Sequence, residues 1–294
     1  MWAYYLTNQT STQSHTAMAA TKGRIKQSIA YWCFNTAGDQ WDVEKTCEVA
    51  NQLGCPSVEL VEPSDWPILK KHGLVSALSL IGMEGAPFVK GYNNPIYHEE
   101  LTARTTQAID EHAAAGFPNV IAFTGFEYRD AEDPTSEKLS REEGADNCVQ
   151  GLKELADYAA KQGVTICLEH LNTRDDSHPM KGHPGYQGDD LDYVASIIRR
   201  VDSPGLKLLF DVYHVQIMHG DILRRLEENK DILGHIHAAG CPGRAEIDAT
   251  QEVNYPAVMH KLLELGYDGY VGQEYLPTRD PFEGLKEAVQ LCDV

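Results

Sequence analysis

Four residues that could bind a metal ion each follow a short, mostly apolar run of the chain: Glu169, Asp211, His237 and Glu274. Runs of this length are typical of buried strands, and a charged group at the end of a buried strand is costly unless something pairs with it. Three carboxylates brought close together would also raise one another's pKa unless a cation lay between them. The four residues therefore predict a site for one divalent metal ion.

The residue types and the overall charge narrow the choice of ion and partner. Oxygen-rich ligands with a single imidazole suit Mn²⁺, Mg²⁺ or Co²⁺ better than a structural Zn²⁺. The 294 residues include 44 acidic and 25 basic ones, which gives a formal net charge of −19. A chain this acidic repels phosphate backbones, so we expect no nucleic-acid partner. No apolar stretch approaches roughly 18 residues, so the sequence predicts no membrane span.

The elements that must position these residues alternate between strand-like and helix-like segments. The predicted strands are 28–33, 57–61, 74–80, 120–124, 164–169, 206–211, 232–237 and 269–274. The predicted helices are 42–53, 66–72, 97–115, 141–162, 190–201, 217–229, 255–265 and 281–292. Strands separated by helices imply a parallel sheet, and eight repeats predict an α/β protein with a (β/α)₈ TIM barrel. An open doubly wound sheet is the alternative, although no glycine-rich nucleotide-binding pattern follows an early strand.

The predicted barrel places the four candidate ligands at one rim, because they end its last four strands. Active sites of such barrels lie at this rim. We predict a single barrel domain over residues 25–294 and a disordered leader over residues 1–24, which are rich in Thr, Ser, Gln and Ala. The seven scattered cysteines show no CxxC pattern, which indicates a reducing compartment and hence the cytoplasm. A degenerate export signal in the leader is left open.

From residue 28 onward the chain resembles the xylose-isomerase-like barrel superfamily, and within it the hydroxypyruvate isomerases, which are related to ketose 3-epimerases. The motifs that carry the resemblance are Leu168-Glu169-His170-Leu171-Asn172-Thr173-Arg174, Phe210-Asp211-Val212-Tyr213-His214, Gly234-His235-Ile236-His237, Pro242-Gly243-Arg244, Glu252-Val253-Asn254-Tyr255 and Gly266-Tyr267-Asp268-Gly269-Tyr270-Val271-Gly272-Gln273-Glu274-Tyr275. They span about 110 residues in the expected order, which is more specific than any single short motif.

The resemblance implies roles for individual residues. It makes the four candidates above the metal ligands, and it makes Glu169 and Glu274 also the acid/base pair that moves a proton on a carbon next to a carbonyl. It implies that His214 and Arg244 bind substrate oxygens.

Further candidates follow from their positions in the sequence. Asn172 lies three residues beyond the first ligand and could orient that ligand or contact substrate. Glu59 ends the second predicted strand and could hydrogen-bond substrate or His72. Trp32 and Phe34, at the end of the first predicted strand, could wall the pocket.

The implied reaction is the isomerisation of a small hydroxy-carbonyl acid, foremost hydroxypyruvate to tartronate semialdehyde, through an enediolate. A divalent ion would stabilise the enediolate oxygens and a carboxylate would move the proton. A substrate carboxylate would make Arg244 its natural bidentate partner.

One departure from the family keeps the substrate open. Many hydroxypyruvate isomerases have Gln where His237 stands, whereas the ketose 3-epimerases have His, so a tagatose- or psicose-type 3-epimerase is the alternative. Residues 178–184 also lengthen the loop after the fifth predicted strand. A DNA-repair endonuclease on the same barrel is disfavoured by the negative charge, and a non-catalytic barrel by the presence of all four ligands. Assembly into a homo-oligomer is left open.

Overall fold

The computed structural model of this protein describes residues 22–294. Within them, seven strands form one parallel sheet in the order β2-β1-β7-β6-β5-β4-β3. The strands are β1 Lys26–Ala30, β2 Ser57–Glu59, β3 Asn119–Phe123, β4 Thr165–Glu169, β5 Leu206–Asp211, β6 Leu233–Ala238 and β7 Tyr270–Gln273. Each strand is followed by one or more helices, as a parallel sheet requires.

The eighth position of the barrel is occupied by the closing segment, residues 74–80, which bridges β2 and β3. Isolated parallel bridges join it to both neighbours, and backbone hydrogen bonds such as Leu60 N to Leu78 O (2.8 Å) and Ile121 N to Ser79 O (3.0 Å) complete the ring. The predicted TIM barrel is therefore confirmed. The predicted third strand is irregular because side chains replace part of its ladder: Ser57 Oγ accepts from Ala77 N at 3.0 Å, and Asn119 Nδ2 donates to Ala77 O at 2.8 Å.

Ten α-helices pack around the strands in the described residues. They are α1 Tyr31–Thr36, α2 Val43–Leu53, α3 Trp66–Lys71, α4 His98–Ala115, α5 Arg141–Gln162, α6 Leu191–Val201, α7 Val212–Met218, α8 Ile222–Glu228, α9 Tyr255–Glu264 and α10 Pro281–Cys292. Their ends follow sequence signals: Asp42 and Ser140 cap the first turns of α2 and α5, and Gly163 ends α5 in the left-handed region at φ 71°. No helix of residues 22–294 is long and apolar enough to cross a bilayer.

Two further predicted elements differ from the structure. The predicted strand 28–33 ends at Ala30, and its aromatic second half forms α1, because a helical turn there buries Cys33 and Phe34 in the core. The predicted helix 217–229 is two helices, α7 and α8. The first begins directly after Asp211, whose carboxylate accepts Tyr213 N at 2.8 Å, and the break between them lies at residues 219–221.

The lumen of the barrel has two chemically different halves. Side chains alternate along a strand, so the residue two positions before an inward-facing ligand also faces inward. The apolar half, near β3, β4 and β5, contains Leu78, Ile121, Phe123, Cys167 and Leu209. The polar half, near β6, β7, β1 and β2, contains Ser28, Ser57, Glu59, His235 and His237, all fully buried.

Two further predictions concern the N-terminal leader and the cysteines. The last three residues of the predicted leader hydrogen-bond the C-terminus, for example Gly23 N to Asp293 Oδ1 at 3.0 Å and Arg24 Nε to Val294 O at 2.8 Å. The rest of the leader, residues 1–21, lies outside the described residues. All seven cysteines are buried and free, which confirms the expectation of a chain without a disulfide framework.

Candidate active site

The structure brings the four predicted ligands together at the C-terminal rim of the barrel. Glu169 and Asp211 are the last residues of β4 and β5, His237 is the penultimate residue of β6, and Glu274 follows β7 directly. In the parallel register Asp211 pairs with His237, so the C-terminal ends of β5 and β6 lie at the same height on the barrel. One ligand atom from each of the four residues lies within 4.8 Å of all the others.

These side chains fit a divalent metal ion. They are at most 5% exposed, and two of their atoms, Glu169 Oε1 and His237 Nδ1, have no hydrogen-bond partner among residues 22–294. The two atoms face each other at 3.8 Å, and the same nitrogen lies 2.9 Å from Glu274 Oε2. Buried polar atoms are nearly always paired, and a cation between three carboxylates and an imidazole would pair these. The cluster is therefore a candidate metal site.

Glu59 fixes the orientation of His237 from beneath. His237 Nε2 donates to Glu59 Oε1 at 2.8 Å, and His235 Nε2 lies 3.2 Å from the same oxygen. Burial acts to raise the pKa of Glu59, but the two imidazoles outweigh it and hold that pKa well below its usual range. With Nε2 engaged, Nδ1 is the nitrogen that faces the carboxylates, which is the usual arrangement for a metal-binding histidine.

This placement revises the sequence-based view of Glu59. Its carboxylate is fully buried against the two histidines, so a direct substrate contact stays a prediction that the geometry does not favour. The predicted hydrogen bond between Glu59 and His72 is wrong, because the His72 ring lies 2.8 Å from Glu44 Oε1 on the outside of the barrel. Gly272 makes the approach of Glu59 to His237 feasible, since a Cβ there would lie 2.2 Å from Glu59 Oε1.

Arg244 lies directly against the cluster. Its Nη2 donates to Asp211 Oδ2 at 3.3 Å and to Glu274 Oε2, and its guanidinium lies between the rings of Trp32 and Tyr213, 5.4 and 5.6 Å from their centroids. Its Nε has no hydrogen-bond partner among the described residues. Arg244 thus lies beside the cluster with one unengaged donor in a buried site, and its binding of substrate oxygens stays a prediction.

His214 and Asn172 form a second pair at the rim. His214 Nδ1 accepts from Asn172 N at 3.1 Å and lies 2.6 Å from Asn172 Nδ2, so its proton is on Nε2, 3.5 Å from Asp211 Oδ2. Burial, followed by the charge of Arg244, lowers the pKa of His214 well below its usual value. The ring is therefore a neutral N–H donor directed at the cluster, and Asn172 orients this histidine.

The two glutamates of the predicted acid/base pair differ in proton affinity. Burial raises the pKa of Glu169 to about 7. Burial acts in the same direction on Glu274, but the positive charges of Arg244 and His237 outweigh it and lower that pKa to about 2. Trp32 Nε1 also donates to Glu274 Oε1 at 2.9 Å. The sequence marked Trp32 only as a pocket wall, because no local pattern shows that α1 turns this ring toward β7.

The loop that follows β4, residues 172–189, covers the cluster. Asn172 Nδ2 donates to Lys181 O at 2.7 Å, Arg244 Nη1 donates to Met180 O at 2.7 Å, and Tyr213 OH donates to Asp175 Oδ2 at 3.0 Å. These bonds hold the lengthened part of the loop over the ligands and explain their burial. A cluster that could hold a cation, two glutamates of different proton affinity and neutral donors make the site suited to proton transfer beside a carbonyl.

Comparison with known proteins identifies the family of this chain. The sequence model of the xylose isomerase-like TIM barrel family matches residues 48–293. A 2-oxo-tetronate isomerase from Cupriavidus necator is 39% identical over 137 residues, which cover 47% of this chain and 50% of that protein. A putative hydroxypyruvate isomerase from Homo sapiens is 35% identical over 47% of each chain. The chain thus spans about half the length of these curated relatives. A hydroxypyruvate isomerase from Escherichia coli is 26% identical over 84% of this chain and 93% of its own.

Solved structures share the same architecture. The crystal structure of an AP endonuclease of family 2 from Brucella melitensis has a TM-score of 0.72 at 26% identity, and covers 89% of this chain and 97% of its own. A D-psicose 3-epimerase from Clostridium cellulolyticum H10 has a TM-score of 0.68 over 91% of this chain and 96% of its own, but at 18% identity it shows the fold alone. Because the family match covers most of the sequence, the chain belongs to the xylose isomerase-like TIM barrel family.

Proposed function

We propose that this protein is a metal-dependent isomerase of small hydroxy-carbonyl acids, of the type that converts hydroxypyruvate to tartronate semialdehyde. The observation that carries the proposal is the enclosed cluster of Glu169, Asp211, His237 and Glu274, in which two candidate ligand atoms have no hydrogen-bond partner among residues 22–294. The names of the curated relatives support the substrate class: they are a 2-oxo-tetronate isomerase and hydroxypyruvate isomerases.

The four ligands would hold a Mn²⁺, Mg²⁺ or Co²⁺ ion, which supplies positive charge to stabilise an enediolate. Glu169 then acts as the base, the role that the resemblance implies for it, and its Oε1 has no hydrogen-bond partner among residues 22–294. It removes a proton from C3 of hydroxypyruvate, and the C–H electron pair becomes the C2–C3 double bond. The acid/base pair of Glu169 and Glu274 returns a proton to C2, while the hydroxyl proton passes from O3 to O2. Atoms and charge are conserved, as an isomerisation requires.

The neighbouring donors bind and orient the substrate. His214 presents a neutral Nε2–H beside Asp211, and Arg244 has an unengaged Nε in the same buried space. Donors that face developing negative charge in a water-poor site stabilise the transition state more than they would in water. Arg244 is also the positive side chain that would pair with the substrate's carboxylate.

The test is an isomerase screen on protein treated with EDTA and then supplied with Mn²⁺, Mg²⁺ or Co²⁺. We expect turnover of hydroxypyruvate or a 2-oxo-tetronate that depends on the added ion and is absent in Glu169→Gln. No turnover of either acid under any of the three ions would contradict the proposal.

A ketose 3-epimerase of the tagatose or psicose type is the second candidate, because of the residue at position 237. An imidazole there is the feature that the resemblance links to the epimerase branch, and the same two glutamates would serve that reaction. Including tagatose and psicose in the screen separates the two. Epimerisation of a ketohexose without turnover of an acid would favour the epimerase.

DNA-repair activity is disfavoured, although one similar solved structure bears an AP endonuclease name. The net charge of −19 opposes binding to a phosphate backbone. Measurable binding to abasic DNA at physiological salt would instead favour a DNA-repair function.

A further inference from the structure

We propose that His183 is a substrate-binding residue that selects acids carrying a hydroxyl group beyond the two reacting oxygens, and hence substrates of four or more carbons. The inference rests on the proposed function and deepens it, since it names the substrate class within the hydroxy-carbonyl acids. It concerns a residue of the loop over the cluster that the sequence marked only as part of a lengthened segment.

The ring of His183 is buried but makes no hydrogen bond. The residue is 4% exposed, and neither ring nitrogen bonds any group among residues 22–294, whereas its backbone N donates to Asn172 O at 2.8 Å and its backbone O accepts from Tyr186 N at 3.0 Å. Hydrogen bonds thus fix the backbone of His183, whereas its side chain has no hydrogen-bond partner among residues 22–294. The ring nitrogens are not among the fully buried atoms without a partner, so they remain accessible to a molecule bound beside the ring.

The ring of His183 has an aromatic neighbour and a neighbour in the candidate active site. On one side the imidazole lies against Phe88, with 4.0 Å between ring centroids, and Phe88 in turn contacts Phe126 at 6.1 Å. These aromatic rings offer no strong acceptor or donor. Another neighbour is His214, with ring centroids 5.8 Å apart, and the charges of Arg244 and Glu274 also act on the imidazole. The imidazole therefore lies next to residues of the candidate active site, within reach of a substrate bound there.

The loop around His183 is hydrogen-bonded to β4, the strand that ends at Glu169. Tyr186 OH donates to Glu169 O at 2.8 Å and accepts from Thr124 N at 2.9 Å. At Gly182 a Cβ would lie 2.2 Å from Asp175 O, so the loop packs tightly just before the histidine. His183 thus has a fixed place relative to Glu169, as selection among similar substrates requires.

The chemistry of the ring favours a hydroxyl over a carboxylate. Burial, followed by the charge of Arg244, lowers the pKa of His183 to about 3, so the ring is neutral and offers one donor and one acceptor. A hydroxyl group matches both, whereas a carboxylate matches Arg244 better. Hydroxypyruvate has a single hydroxyl, which becomes one of the enediolate oxygens. A 2-oxo-tetronate has a further hydroxyl that remains free for His183.

The test compares kcat/KM for a 2-oxo-tetronate and for hydroxypyruvate in matched variants. His183→Phe removes both ring nitrogens and keeps an aromatic ring, and His183→Asn keeps a donor and an acceptor. The control is His178→Asn, an exposed position of the same loop whose side chain accepts from Met180 N at 3.1 Å. Calorimetric titration with Mn²⁺ and thermal melting of each variant show whether the metal site and the fold persist.

We expect His183→Phe to lower the preference for the 2-oxo-tetronate at least tenfold, with hydroxypyruvate and Mn²⁺ affinity changed less than threefold. His183→Asn should recover part of the preference, and His178→Asn should leave it unchanged. Equal effects on both acids, or an unchanged preference, would overturn the inference while leaving the proposed function intact. If His183→Phe does not fold, an unchanged preference in His183→Asn serves the same purpose. Wild-type protein that turns over neither acid would overturn the proposed function, and this inference with it.

Discussion

The two halves of the barrel lumen give two similar glutamates different properties. Glu169 ends a strand of the apolar half, beside Cys167, Leu209 and Phe123, and burial there raises its pKa to about 7. Glu274 lies in the polar half, where Arg244 and other donors engage its oxygens and its pKa falls to about 2.

The comparison shows that the residue type alone does not set the chemistry of a rim carboxylate. An apolar wall favours the protonated form, and a neighbouring guanidinium favours the ionised one. Pairs of carboxylates whose pKa values are pushed apart by their environments are typical of acid/base sites. In the proposed mechanism the apolar half raises the proton affinity of Glu169, whereas the polar half orients His237 and supplies the charge of Arg244.

The largest expected effect comes from replacing either glutamate of the predicted acid/base pair. Glu169→Gln and Glu274→Gln should each lower kcat by about a thousandfold, since general acid/base groups contribute on the order of 10² to 10⁴. Steady-state assays with saturating Mn²⁺ measure this, and circular dichroism checks that the fold is retained. Activity within a factor of ten of wild type in both variants would remove the acid/base assignment.

The apolar half should carry stability rather than affinity for the metal. Leu209→Ala removes a fully buried side chain from that half and should lower the free energy of unfolding by about 2–5 kcal/mol, from lost burial and the cavity left behind. Urea denaturation measures the loss, and Mn²⁺ affinity of the folded variant should stay within about threefold. A large loss of Mn²⁺ affinity without a loss of stability would contradict this distinction between the two halves of the lumen.

Arg244→Ala tests the charge that the polar half provides. A charge-assisted hydrogen bond is worth about 1.5–3 kcal/mol, so KM for an acidic substrate should rise about 10- to 100-fold. The loss of positive charge should also raise the pKa of Glu274, because Arg244 is the largest influence that lowers it. An unchanged KM for hydroxypyruvate, with a raised KM for a neutral ketose, would point to the epimerase instead.

The smallest expected effect concerns the orienting carboxylate. Glu59→Gln keeps the shape but removes the charge that holds the Nε2–H of His237, and loss of such a partner costs metal affinity of about tenfold. Ser28→Ala is the matched control, because Ser28 lies in the same half and its side chain donates to Ser57 Oγ. Equal Mn²⁺ affinities in the two variants would contradict an orienting role for Glu59.

Much of this arrangement could be predicted because it depends on local patterns. Each predicted ligand lies at or next to the end of a short buried strand, so the strand pattern alone placed all four at one rim. Helix ends such as Ser140 and Gly163 carry capping signals that do not depend on the rest of the fold. The acid/base pair and the roles of His214 and Arg244 came from the family resemblance, not from these patterns.

Other features could not be predicted because they depend on distant contacts. The orienting bond joins Glu59 to His237, 178 residues apart. The burial of His183 depends on Phe88, which belongs to a different loop. The aromatic run that forms α1 has the composition of a strand, and tertiary packing overrides that preference. The closing segment is irregular because Ser57 and Asn119 bond its backbone from neighbouring strands.

The most direct test of the central claim is the stoichiometry of Mn²⁺ binding, measured by calorimetric titration of EDTA-treated protein. Asp211→Asn is the informative variant, because Asp211 is a predicted ligand with no part in proton transfer. We expect one ion per chain in the wild type and at least tenfold weaker binding in Asp211→Asn. A wild type that binds no ion, or an Asp211→Asn variant with undiminished affinity, would contradict a metal site built from these four strand ends.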